Sequence, residues 1–385
     1  MRIAIITQGD PNNRAGFFNN VHERILHLVK NSNVELDVYL LQYPKLLSPN
    51  APTKTLIDDI LYHNIYIRIT KLRYIASFVL KLIPFPGYYA VNKYIDYFKD
   101  YDLLSTHSIG AMQIAEKVKR KYGIPYVITW HGSDVHTNPQ RNRRLMKLTK
   151  KVMENANRNF FVSKALMNAS TTICNTDNKE VLYSGVSDYF REYDLDEKES
   201  FKRKYNVENK RVVAFLGNVI SIKNVLSLPD IFKLVDKENP GRVQFWIIGN
   251  GNLYEQLQNG LHSVGVDYKM WGMQEPHVIP NMLNCVDVLV LPSLNEGLPL
   301  VTEEALQCGV NVVGSDVGGI SEVIGAENVF ALGENFVPNI ANRISEILQK
   351  GEKPKPLSEL FKWDICTDRE LECYNQIIKE QTYER

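Results

Sequence analysis

The chain has 385 residues, 44% hydrophobic and 23% charged, which is room for two or three domains and too apolar for a disordered chain. Forty-five Lys and Arg against 44 Asp and Glu leave a net charge of +1, without the basic excess of a general nucleic-acid binder. These exclusions concern the whole chain and leave local patches open.

The opening run MRIAII turns polar at Thr7 and Gln8. It is too short for a signal-peptide core and reads as a first β-strand over residues 2–7. Further short apolar runs predict strands at 34–41, 103–106, 126–130 and 159–163. A second series predicts strands at 212–217, 243–248, 288–291, 310–314 and 329–331. Most are nearly all apolar, as parallel strands covered on both faces must be. Helical periodicity lies between them, at 17–29, 109–121, 225–235, 253–261 and 300–308. Alternating strands and helices predict an α/β chain of two doubly wound parallel-sheet domains, with ligand in the cleft at the carboxyl ends of the strands. Residues 188–204 are dense in charge and separate the two series, giving an N-terminal domain at 1–187 and a second at 188–362. Residues 368–384 form an amphipathic helix, with Leu371, Tyr374 and Ile377 at helical spacing. No run reaches the ~18 apolar residues needed to span a bilayer. The five cysteines are scattered and contain no C-x-x-C pair. They fit a protein kept in the reducing cytoplasm, free or lying on a membrane surface.

The stretch 291–304, LPSLNEGLPLVTEE, carries the chemistry. A strand ends at Pro292 and Ser293, a turn holds Gly297 and Pro299, and a helix begins near Leu300. Glu296 and Glu304 stand eight residues apart, before and inside that helix. The first N–H groups of a helix lack internal partners and, with the helix dipole, favour a phosphate. Carboxylates suit the neutral hydroxyls of sugars instead. For an isolated pair of glutamates, a loop carboxylate and a solvated helix residue would be explanation enough.

The surroundings add more. The stretch resembles the E-x7-E signature of family 4 (group 1) retaining glycosyltransferases, which have the GT-B fold. The resemblance continues in order along most of the chain. VVAFLGNVISIK at 212–223 is similar to the strand and G-R-x4-K phosphate clamp that open the family's second domain. WIIGNG at 246–251 resembles its second strand and glycine turn. DVLVLPS at 287–293 leads into the glutamates, and GSDVGGISE at 314–322 resembles the segment after them. In the first domain GIPYVITWHGSD at 123–134 is similar to the G-I-P-x-x-x-T-x-H-G element. LYSGVSDYF at 182–190 stands where the family has an N-G-V-D approach to its hinge. Phe361-Lys362-Trp363 resembles the F-x-W before a last helix, 363–385, that crosses back to the first domain.

That resemblance implies roles. Glu304 would hold the ribose hydroxyls of a nucleotide-sugar donor, a UDP- or GDP-sugar, and Glu296 would lie by the donor sugar. Backbone N–H groups of Gly297, Leu298, Leu300 and Val301 could meet sugar hydroxyls and the diphosphate; Pro299 has none to offer. Lys223 would neutralise the leaving diphosphate. His131, after the strand 126–130, would orient an oxygen of the donor sugar. Gly16 would let backbone approach the diphosphate or the acceptor, or would simply serve a helix-start turn. His107 is kept as a structural or cleft-lining residue. The clamp's arginine is replaced by Asn218, which donates a hydrogen bond but carries no charge. The D-x-D at Asp194 and Asp196 lies in the charged linker and reads as solvated surface, so no bound metal and no cofactor besides the donor substrate is expected.

Two basic stretches bear on the acceptor. Residues 141–151, RNRRLMKLTKK, hold six basic side chains, and 65–85, IYIRITKLRYIASFVLKLIPF, mixes four more with apolar and aromatic ones. Together they could dock on anionic lipid or hold an acidic or lipid-diphosphate acceptor. Alternatively, the second is a core helix and the first a solvated face. The leading expectation is retaining transfer, by front-face displacement, to a glycan or lipid-linked acceptor in cell-surface polysaccharide or glycoconjugate synthesis. A sugar-nucleotide epimerase and a scaffold without turnover are the alternatives.

Overall fold

A computed structural model describes residues 1–9, 16–30, 34–44 and 51–383. The chain forms two compact units, Met1–Gly185 together with Trp363–Arg385, and Val186–Lys362.

The first unit is built on an eight-stranded sheet. Its strands are β1 (Arg2–Gln8), β2 (Glu35–Gln42), β3 (Lys54–Ile57), β4 (Ile60–Tyr66), β5 (Leu103–Thr106), β6 (Tyr126–Trp130), β7 (Arg158–Phe161) and β8 (Lys179–Val181). Their order is β3-β4-β2-β1-β5-β6-β7-β8, and all neighbours are parallel except β3 with β4. The central strands β5 and β6 are buried at every residue, which is why they carry no charged side chain. On one face the helix Phe17–Lys30 packs Phe18, Val21 and Ile25 into a core with Ile3 and Ile5 of β1. Leu371, Tyr374 and Ile377 of the C-terminal helix Trp363–Tyr383 join the same core.

A buried polar cluster fastens that last helix. Arg24 donates to Glu370 at 2.6 Å and to the carbonyl of Tyr183 at 3.1 Å. The Tyr374 hydroxyl is bonded to Glu370 and donates to Ser105 at 2.9 Å. Arg24 and Glu370 are both fully buried, so each charge is tolerable only because the other is present.

The second unit carries a six-stranded parallel sheet. Its strands are β9 (Arg211–Leu216), β10 (Val243–Ile248), β11 (Tyr268–Gly272), β12 (Val288–Leu291), β13 (Asn311–Ser315) and β14 (Val329–Phe330). They follow the order β11-β10-β9-β12-β13-β14. The charge-dense stretch resolves into the helix Leu195–Tyr205, where Asp194 and Glu197 form a reciprocal capping box. Asp194 thus satisfies a helix terminus.

Four strands escape the apolar-run criterion. β3, β8 and β11 are short or half-buried edge strands, and β4 interleaves His63 and Asn64 with its apolar residues. The reading of 65–85 as a core helix is overturned. Ile65 and Tyr66 end β4, helical backbone covers only 71–79, and its large apolar side chains face outward.

Candidate functional site

In the second unit, the loops at the carboxyl ends of β9, β10, β12 and β13 press backbone against backbone. A Cβ at Gly249 would stand 1.9 Å from the carbonyl oxygen of Gly217, and one at Gly251 would stand 2.2 Å from that of Val219. The Val219 N–H donates to the Asn250 carbonyl at 2.9 Å. Only glycine permits this approach, which is the physical content of the WIIGNG turn.

Lys223 and Glu296, 73 residues apart, meet here. Lys223 Nζ lies 2.6 Å from Glu296 Oε1, and Ser293 Oγ donates to the same oxygen at 2.6 Å. Both charged side chains are largely shielded, at 20% and 10% exposure, so their attraction is weakly screened. The Leu294 N–H donates to the Ile222 carbonyl at 2.8 Å and fastens the lysine loop to the glutamate loop. Gly318, at φ +56°, lets its backbone approach the Glu296 carbonyl, where a Cβ would come within 2.1 Å. The Gly319 N–H donates to the Gly297 carbonyl at 2.9 Å.

The helix Leu300–Gln307 starts directly behind this pair, with Pro299 at its N-cap and no side-chain cap. Thr302 closes the first turn by donating, through N–H and hydroxyl, to the Pro299 carbonyl. The N–H groups of Leu300 and Val301 precede that bond and find no acceptor among the described residues. Leu298 and Gly297 lie in the preceding turn, partly exposed. Glu304 stands one turn inside the helix, also partly exposed. Asn218 is exposed on the β9 loop, its carbonyl accepting from the Ile220 N–H at 3.0 Å. Sequence reasoning missed Glu303, which is completely buried, with neither carboxylate oxygen partnered among the described residues. Burial, and then the charge of Glu304, hold its carboxyl well above the ordinary range. Its position in the helix stripe, between Thr302 and Ala305 on buried turns, is the signal that could have marked it.

In the first unit, His131 follows β6. The Asp134 carboxylate accepts from the backbone N–H groups of His131, at 3.1 Å, and Gly132, at 2.8 Å. Gly132 has φ 141° and ψ −80°, a conformation for glycine. The HGSD element is therefore a self-tied loop that fixes the direction of His131. The ring is flanked by Phe17, edge-on at 4.8 Å between centroids. His107 Nδ1 lies 3.2 Å from His131 Nε2, so His107 has a defined partner that spacing alone did not reveal. Burial, and secondarily the charge of Arg24, push His131 down to about 3. His107 is lowered well below the usual range, mainly by burial. Both rings are neutral near pH 7, and one must donate to the other. Gly16, at φ +57°, supplies the left-handed turn into the helix Phe17–Lys30. A Cβ there would meet nothing within 4 Å, so its requirement is conformational.

The sequences of both units match known families. Residues 20–188 match Glycosyltransferase Family 4, and residues 196–360 match Glycosyl transferases group 1. The chain belongs to the family 4, group 1 glycosyltransferases. Its fold is that family's GT-B architecture, shared with the crystal structure of Anabaena Alr3699/HepE in complex with UDP. That likeness has a TM-score of 0.70 at 17% identity and covers 100% of both chains. TuaC of Bacillus subtilis strain 168, a glycosyltransferase ascribed to teichuronic acid biosynthesis, is 26% identical over 68% of this chain and 65% of its own. The UDP-Gal:alpha-D-GlcNAc-diphosphoundecaprenol alpha-1,3-galactosyltransferase of Escherichia coli is 28% identical over 57% of this chain and 59% of its own. In both cases the match spans less than two thirds of the relative's length.

Proposed function

We propose that this glycosyltransferase moves a sugar from a UDP- or GDP-sugar to a glycan or lipid-linked acceptor, with retention at the anomeric carbon and without a bound metal. The observation that carries the reading is the Lys223–Glu296 pair at 2.6 Å beside the unsatisfied N–H groups of Leu300 and Val301. A diphosphate here would meet one ammonium and two oriented donors. These are groups suited to the charge that grows on the leaving oxygen as the glycosidic bond breaks.

On this reading the diphosphate draws Lys223 away from Glu296, which frees the carboxylate to accept from sugar hydroxyls. Glu304 would accept from the ribose diol. His131, held neutral, would be a hydrogen-bond partner of the donor sugar rather than a general acid. With no side chain assigned as a covalent nucleophile, the departing diphosphate oxygen itself would take the acceptor proton in a front-face displacement. Synthesis of surface polysaccharide or lipid-linked glycan is the setting that the relatives' names support.

The test is incubation with UDP-, GDP- and ADP-sugars, following nucleotide release and the anomer formed. One donor class is expected to be turned over slowly by water alone, with a loss of about a hundredfold or more in Lys223→Ala and Glu304→Ala. A β-linked product from an α-linked donor would overturn retention. Failure of every nucleotide to shift the melting temperature would replace the transferase by a scaffold.

A further inference from the structure

We infer that the first unit docks on an anionic lipid bilayer through the segment 71–82 and the N-terminal turns of the helix Arg143–Asn155. This concerns binding alone and rests on features separate from the donor site.

The segment is amphipathic the wrong way round for a soluble protein. Thr70 caps a short helix, Lys71–Tyr74, which runs into a wider turn, Ile75–Val79. The side chain that this helical stretch buries is Ser77. Leu72, Tyr74, Phe78, Val79, Leu80 and Leu82 are instead each more than half exposed. Single exposed apolar residues are ordinary, but a contiguous set of this size marks an interaction surface. Tyr74 and Phe78 pack ring to ring at 4.7 Å, so they present one surface.

The charge beside the segment identifies the partner. Asn142 caps the helix Arg143–Asn155 by accepting from the Arg144 N–H at 2.8 Å, and it donates to the Ile83 carbonyl at 2.7 Å. Arg144 donates to the Lys81 carbonyl at 2.7 Å. Two stretches about sixty residues apart are thereby tied into one face. Arg143, Arg144 and Lys147 are exposed on it, with Lys71 and Lys81 on the segment itself. Lys150 and Lys151 further along pair with Glu154 and Glu116, whereas Arg143, Arg144 and Lys147 have no carboxylate partner among the described residues. Cations at a helix's positive end oppose folding, so stability does not account for them. An apolar strip rimmed by cations fits acyl chains below and anionic headgroups around. A second copy of the chain would set these cations against one another. The segment leaves the carboxyl end of β4, and the helix follows β6 and His131. Both lie at the same edge of one parallel sheet, which would bring a lipid-linked acceptor to the edge that carries His131.

Co-sedimentation of the full chain with vesicles of phosphatidylcholine and phosphatidylglycerol in a three-to-one ratio tests this. Binding is expected at low ionic strength and is expected to weaken steeply in salt. Pure phosphatidylcholine should bind at least about tenfold less. Phe78→Ser with Val79→Ser, and separately Arg143→Glu with Lys147→Glu, should each lower partitioning about tenfold or more. Because these positions are exposed, the variants are expected to keep the melting temperature and the nucleotide-induced shift, so a failed donor site is read separately. No binding at low salt, equal binding to both vesicles, or a concentration-dependent dimer that the Phe78→Ser pair dissolves would each overturn the inference.

Discussion

Glu303 and Asn218 set two side chains of the second unit against ordinary expectation. Glu303 is buried without a hydrogen-bond partner among the described residues, and its raised titration means that the folded chain keeps a proton the unfolded chain releases above about 4.5. Stability from the protonated form is complete below that pH and is lost as pH rises toward and through the folded value. Glu303→Gln is therefore expected to stabilise the protein by about 1–3 kcal/mol at pH 8 and by much less at pH 5. Urea unfolding at the two pH values reads the difference, and a gap that does not widen with pH contradicts a buried neutral acid. Asn218 leaves the β9 loop with one ammonium, Lys223, where the family has two cations. Asn218→Arg is expected to tighten nucleotide-diphosphate binding by about fivefold, the worth of one partly exposed charge. Isothermal titration of UDP and GDP measures it, with no change in affinity as the contrary result. Lys223 and Glu296 were singled out in the sequence by the motifs that resemble the family's. Their mutual contact, and the hydroxyl of Ser293 on the same oxygen, were not.

At the scale of elements, central strands such as β5, β6, β10 and β12 were readable because burial on both faces leaves few polar positions to blur the pattern. The edge strands β3, β8 and β11 were not, since a half-buried strand shares its composition with loops. The C-terminal helix announced its stripe of Leu371, Tyr374 and Ile377, but the arginine that holds its other polar group lies 346 positions away. Arg24 and Glu370, both fully buried, compensate each other's charge. Glu370→Ala is expected to cost about 3–5 kcal/mol by stranding the guanidinium, whereas Arg24→Met with Glu370→Leu recovers most of that loss. Denaturant midpoints of the two variants check the prediction. Equal losses would mean that packing of the helix, rather than charge compensation, dominates.

Across the whole molecule, the two units have separate sheets and cores, and a chain so divided need not unfold in one step. Donor binding to the loops of the second unit should raise one calorimetric transition selectively. At a hundredfold excess of UDP or GDP over its Kd the gain is about 2.7 kcal/mol. Scanning calorimetry with and without nucleotide tests this, and a uniform shift of all transitions would show that the units unfold together.

The near-zero net charge remains true of the whole and uninformative about its parts. By itself the sequence determined the α/β class, the central strands, the helix behind Glu296 and the family. These follow from local periodicity and from short motifs that can be read within a few residues. Only the tertiary structure decided that Lys223 sits on Glu296, that Glu303 is fully buried, and that Arg24 meets Glu370. It also turned the apolar residues of 71–82 outward beside the cations of a distant helix. Burial and pairing depend on which segments the sheet brings together, and periodicity along one segment does not encode its neighbour.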